Sequence, residues 1–156
     1  MISNVSELTI DEIGTLEGFI EPHEVDERIP LSIWFETILA TKLKDLSNGD
    51  LAKMIRQQIY IKSVTPEALK RLKVNPIVGY LGDGELLESL VSVKSDTWKE
   101  ASEVKHTVLV FLEECIALFR ANQLTFPEDE DRFSHEDREE YFQNLLIIKE
   151  QILQSN

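Results

Sequence analysis

The sequence predicts an all-α protein, a compact single-domain array of about six or seven helices. Three observations lead there. Apolar residues recur at three- and four-residue spacing, and few segments alternate at period two. Helix-start signals recur too: Thr9 before Asp11 and Glu12, Ser47 before Asp50, and Thr65-Pro66-Glu67. Finally, the chain has 156 residues, a length that fits one domain over 1–156, with no repeat, low-complexity tract or linker to divide it.

The first element is a brief helix after Thr9, whose hydroxyl can cap it while Asp11 and Glu12 face the positive end of its dipole. GFIEPHEVDERIP, residues 18–30, holds two prolines and no periodicity and reads as an irregular acidic segment. Ser32 then predicts a capped helix through about Leu43, with Trp34, Phe35, Ile38 and Leu39 at helical spacing. Ser47-Asn48-Gly49-Asp50 predicts the next, a weaker relative of the capping box, with Leu51, Met54, Ile55 and Ile59 on one face.

In Val64-Thr65-Pro66-Glu67 the spacing predicts a start with Thr65 as cap, Pro66 at the first helical position and Glu67 in the first turn. Leu69 and Leu72 are its core positions, and Asn75-Pro76 ends it, because the residue before a proline avoids the α region. GYLGDGE, residues 79–85, reads as a turn: Gly79 and Gly82 permit positive φ, Asp83 caps, and Leu86, Leu87, Leu90 and Val91 are buried.

A long helix is predicted from Ser95 to about Asn122. Trp98, Ala101, Val108, Leu112, Cys115 and Phe119 trace its buried stripe, widened by Phe111 and Leu118. Ser134 caps a final helix with Tyr141, Leu145, Ile148 and Ile152 inward.

No catalytic constellation emerges. A phosphate loop needs a lysine after its last glycine, and Glu85 stands there. A dinucleotide loop needs a preceding strand, and a calcium loop needs acids at alternating positions; this segment supplies neither. Glu103 and His106 have the E-x-x-H spacing of bundle-type di-iron ligands, but such sites use two copies and this chain has one. His135-Glu136 opens like a zinc-protease motif and lacks its second histidine. Cys115, the one cysteine, lies among acids and apolar residues, where a thiol stays protonated. The expectation is no enzyme, no metal and no cofactor. A small metalloenzyme built on Glu103 and His106 is the chemical alternative.

Charge is the more informative property. The net charge of −13 is concentrated at the two ends. Residues 1–30 carry eight acids against Arg28, residues 125–156 carry nine acids against three bases, and residues 31–124 balance twelve with twelve. Such a field repels nucleic-acid backbones and anionic membranes and draws in basic partners. The expected partner-facing clusters are Glu21, Glu24, Asp26 and Glu27 and, after Pro127, Glu128, Asp129, Glu130 and Asp131. There is no signal-peptide pattern at the start and no apolar run near membrane length, so the expected compartment is the cytoplasm.

Between Leu8 and Trp98 the segments follow a recognisable order. Leu43, Leu46, Asp50, Leu51, Ile55 and Gln57 or Gln58 lie in one stretch. Pro66, Ala68, Leu69, Leu72, Asn75 and Pro76 follow, then Gly84, Glu85, Leu86 and Leu87. In this the chain resembles immunity proteins of bacterial contact-dependent growth inhibition systems. The matching positions are caps and core residues, so they carry the fold. The resemblance implies a non-enzymatic protein that binds and neutralises a cognate toxin domain, expected to be a basic nuclease. A helical adaptor or regulatory protein using the same acidic surface on another basic protein is the alternative.

Overall fold

The computed structural model describes residues 4–18, 28–76, 86–124 and 135–155. Among them are eight α-helices and two 3-10 turns, with no strand beyond an isolated bridge between Thr9 and Lys42. The all-α expectation holds. The chain divides into two units, Met1–Ser47 and Asn48–Asn156.

In the first unit, α1 (Ile10–Leu16) starts at the predicted cap. The Glu12 amide donates to Thr9 Oγ1 at 3.1 Å and the Thr9 amide to Glu12 Oε1 at 3.0 Å, a full capping box. Those bonds favour the charged carboxylate and hold Glu12 below the usual glutamate pKa. The helix start is stitched to the segment after α2 (Pro30–Ile38): the Ile10 amide donates to the Thr41 carbonyl, and the Leu43 amide to that of Leu8.

α2 does not begin at Ser32 or run to Leu43. Pro30 takes the first helical position, where its missing N–H is harmless, and Ile29 is the cap residue. A 3-10 turn at Leu43–Asp45 closes the unit. Lys44 Nζ meets Glu7 Oε1 at 2.9 Å, and Lys42 Nζ meets Oε2 at 3.7 Å. Of the apolar positions assigned to α2, Phe35 and Ile38 are buried, while Trp34 and Leu39 are half-buried.

The second unit holds α3 (Asn48–Arg56), α4 (Ile61–Val74), α5 (Leu86–Val91), α6 (Ser95–Glu100), α7 (Ser102–Arg120) and α8 (His135–Gln154). α3 packs on α4 and α5, α4 on α7, and α8 on α5, α6 and α7. Leu51, Met54, Ile55, Leu69, Leu72, Leu86, Leu87 and Leu90 are buried as expected. So are Tyr141, Leu145, Ile148 and Ile152. Ile59 lies past the end of α3 and is half-buried, as is Val91. The GYLGDGE turn and Ser134 lie outside the described residues.

Two boundaries differ from expectation. α4 starts at Ile61, a full turn before Thr65, because the added turn buries Ile61 and Val64. Thr65 is therefore not a cap but a buried residue, and Pro66 lies inside the helix, exposed, where it withholds an N–H from the Lys62 carbonyl. The predicted end is right: Asn75, before Pro76, is extended at φ −143° and ψ 104°. The long helix predicted from Ser95 to about Asn122 is also two helices. Ala101 leaves helical geometry at φ −100° and ψ 42° and divides α6 from α7. Of the expected stripe, Phe119 is half-buried and Leu118 is exposed, whereas the rest is buried.

The link between α3 and α4 holds two left-handed residues that are not glycine, Gln58 (φ 57°) and Tyr60 (φ 51°). Gln58 shows what this geometry achieves. Its Oε1 accepts from the Lys94 amide at 3.1 Å and from Thr97 Oγ1, so it caps α6, which has no side-chain cap of its own. Gln58→Ala loses the cap and keeps the strained backbone, so a loss of about 1–2 kcal/mol is expected. Gln58→Gly loses the cap but relieves the strain, so its denaturation midpoint should lie above that of Gln58→Ala. Equal midpoints would mean that the left-handed turn carries no strain.

Candidate functional site

The described residues offer little for catalysis. No group of three or more histidine, cysteine, aspartate or glutamate side chains among them is placed to hold a metal ion. Glu103 and His106 both lie exposed on α7. Cys115 is buried between α7 and its neighbours, and burial, reinforced by the Glu114 carboxylate, pushes its thiol up to about 11. Tyr141, buried near it, is shifted upward for the same reason. A thiol so protonated at neutral pH is a core side chain and a poor nucleophile.

The acidic clusters singled out in the sequence, Glu21, Glu24, Asp26 and Glu27 and Glu128, Asp129, Glu130 and Asp131, lie outside the described residues. Charge is nonetheless segregated within the second unit. α3 and α4 carry six bases (Lys53, Arg56, Lys62, Lys70, Arg71 and Lys73) against Asp50 and Glu67. α7 and α8 carry eight acids against Lys105, Arg120, Arg138 and Lys149. The second unit is therefore polarised, and its acidic pole is the α7–α8 pair.

That pair is antiparallel, fixed by contacts along its length. Lys105 Nζ donates to Ser155 Oγ at 3.2 Å, and Lys149 Nζ stands 3.9 Å from Glu113 Oε1. Phe119 stacks on Phe142 with ring centroids 4.6 Å apart, and the Arg120 guanidinium lies 5.6 Å from the Phe142 ring centre. On α8, Phe142, Leu146, Lys149 and Leu153 follow one another at helical spacing, so they share one stripe. On α7, Leu109, Glu113 and Arg120 form the facing stripe. Both stripes stand beside, not within, the core positions Val108, Leu112 and Cys115 and Tyr141, Leu145 and Ile148.

Periodicity alone does not reveal this second face, because the core stripe already accounts for the helical spacing. Its signal was the surplus of apolar residues that the core stripe does not use, Leu109 and Val110 on α7 and Leu146 and Leu153 on α8. A helix with one buried face has no need of them. No described helix is long and apolar enough to cross a membrane.

A search of curated proteins finds no match to the chain. A family model of CDI immunity proteins, those of contact-dependent growth inhibition, matches residues 16–108, from the end of α1 through α6 into the first turns of α7. The matched span includes Asp50, Leu51, Ile55, Leu69 and Leu72, the cap and core positions on which the sequence resemblance rests. With more than half of its length matched, the chain belongs to the CDI immunity protein family.

Proposed function

We propose that the protein is a stoichiometric, non-catalytic inhibitor of a cognate nuclease toxin, acting in the cytoplasm of the cell that makes it. Family membership supports toxin neutralisation. The single observation behind a nuclease target is charge: −13 overall, with the acids gathered at both ends and on α7 and α8. A nuclease must present cations to a phosphate backbone, and an acidic protein can occupy that surface in its place. Attraction of this kind raises the association rate more than it raises affinity, and salt screens it.

The test is to mix the protein with the toxin domain encoded immediately upstream of its gene. The expected result is a one-to-one complex without nuclease activity, whose association slows steeply as salt rises. Replacing Glu128, Asp129, Glu130 and Asp131 together by lysine should slow association at low salt and leave helix content unchanged. Cells that express the protein yet stay sensitive to that toxin would refute neutralisation. A toxin with no action on nucleic acid would refute only the nuclease assignment.

A further inference from the structure

We propose that the toxin docks on the outward face of the α7–α8 pair, an apolar strip with a glutamate rim. The placement rests on the neutralisation reading above and names the surface that performs it.

Three features single out this face. First, it is apolar without being core. Leu109, Phe142 and Leu146 are half-buried, and Val110 and Leu153 at its edges are 43% and 45% exposed. Their spacing and the cross-helix contacts set Leu109 level with Leu153, so the two helices contribute to one continuous surface. An apolar centre inside a polar rim is the anatomy of a protein–protein interface.

Second, the rim is mainly acidic. On α7, Glu103 and Glu114 lie on either side of Val110, two turns before it and one turn after; on α8, Glu139 and Glu150 lie one turn before Phe142 and Leu153. The cations on these stripes are already engaged: Lys149 with Glu113, Arg120 with the Phe142 ring and Lys105 with Ser155. Arg138, one turn before Phe142, is not free either. A partner seated here therefore meets apolar side chains first and carboxylates around them. That suits a protein surface with an exposed apolar side chain ringed by lysine or arginine, and it opposes an acidic one.

Third, most of the face lies beyond residue 108, where the family match ends. Proteins that share a scaffold and each neutralise a different toxin need a private recognition surface, because specificity is a difference between partners. Residues 16–108 carry the family match, and α7 beyond Val108 with α8 lies outside it.

The test measures affinity for the upstream-encoded toxin domain, inactivated at its catalytic site, with the full-length protein. Val110→Lys with Leu153→Lys keeps two exposed helix positions polar-tolerant and removes the apolar edge. Toxin affinity should fall at least about 30-fold, the loss typical of an interface hot spot. Val74→Lys, at a position 78% exposed on α4, should bind within about threefold of the unchanged protein. Glu139→Gln with Glu150→Gln should slow association at low salt and match the unchanged protein at high salt. Circular dichroism and melting check each variant, and Val110→Ala with Leu153→Ala replaces the lysine pair should that pair fail to fold.

If the unchanged protein binds and the lysine pair binds equally well, the placement is wrong and the neutralisation reading stands. If the unchanged protein does not bind the toxin, both are wrong. If the lysine pair splits a dimer of this chain without altering toxin affinity, the face serves self-association and the placement is again wrong.

Discussion

Replacing Arg71 by methionine is expected to lower the stability of the protein by about 3–5 kcal/mol. Glu67 and Arg71 sit one turn apart on α4, with side chains only 6% and 15% exposed and Arg71 Nε 2.8 Å from Glu67 Oε2. Arg71 Nη1 also donates to Asn48 Oδ1 at 2.9 Å, so the guanidinium ties α4 to the first residue of α3. The other carboxylate oxygen, Glu67 Oε1, is buried with no hydrogen-bond partner among the described residues. The pair is thus half-satisfied, and removing the cation strands a buried carboxylate.

The same logic predicts recovery. Glu67→Leu combined with Arg71→Met removes the charge and its unmet oxygen together, so the double variant should regain most of the loss. Urea denaturation of the two single variants and the double one gives the coupling directly. An Arg71→Met protein as stable as the original would show that water, and not Arg71, solvates Glu67. Against a total of about 5–15 kcal/mol for a domain, the predicted loss is enough to leave a marginal protein partly unfolded.

Glu67 also shows how far the sequence could be read. The motif Thr65-Pro66-Glu67 follows every local rule for a helix start, and there a first-turn glutamate would be solvated. Tertiary burial overrides it. Ile61 and Val64 gain a place in the core only if the helix begins a turn earlier, and that turn carries Glu67 inward. The break at Ala101 was hidden for a different reason. Trp98, Ala101, Val104 and Val108 keep helical spacing across it, and neither glycine nor proline marks it. Gln58 capping α6 from 36 positions away is a non-local contact that no window of sequence contains.

What was legible follows from short-range chemistry. The capping box at Thr9, the start at Asn48 and the stop at Asn75 each depend on residues within four positions of one another. The surface was legible only as charge. Acid counts could show that both ends of the chain are negative, but not that α7 and α8 form an acidic pole with apolar side chains at its centre. That needs the pairing of two helices, which spacing alone leaves open.

Trp98→Ala is the second large effect expected, at about 3–5 kcal/mol. Trp98 is fully buried on the six-residue α6, which packs against both α7 and α8. A helix that short has no stability of its own, so its tertiary anchor holds it. Yet the indole is not perfectly housed: among the described residues, Nε1 is buried with no hydrogen-bond partner. Trp98→Phe discards that stranded N–H along with part of the ring, and the two changes oppose each other. Its loss should stay below about 1.5 kcal/mol. The pair of variants therefore separates volume from polarity at one site. A Trp98→Phe protein as unstable as Trp98→Ala would mean that the N–H is satisfied and the ring tightly fitted. The consequence reaches the docking face as well. α6 braces the helices that present it, so Trp98→Ala should weaken toxin binding even at temperatures where it stays folded, and Trp98→Phe should not.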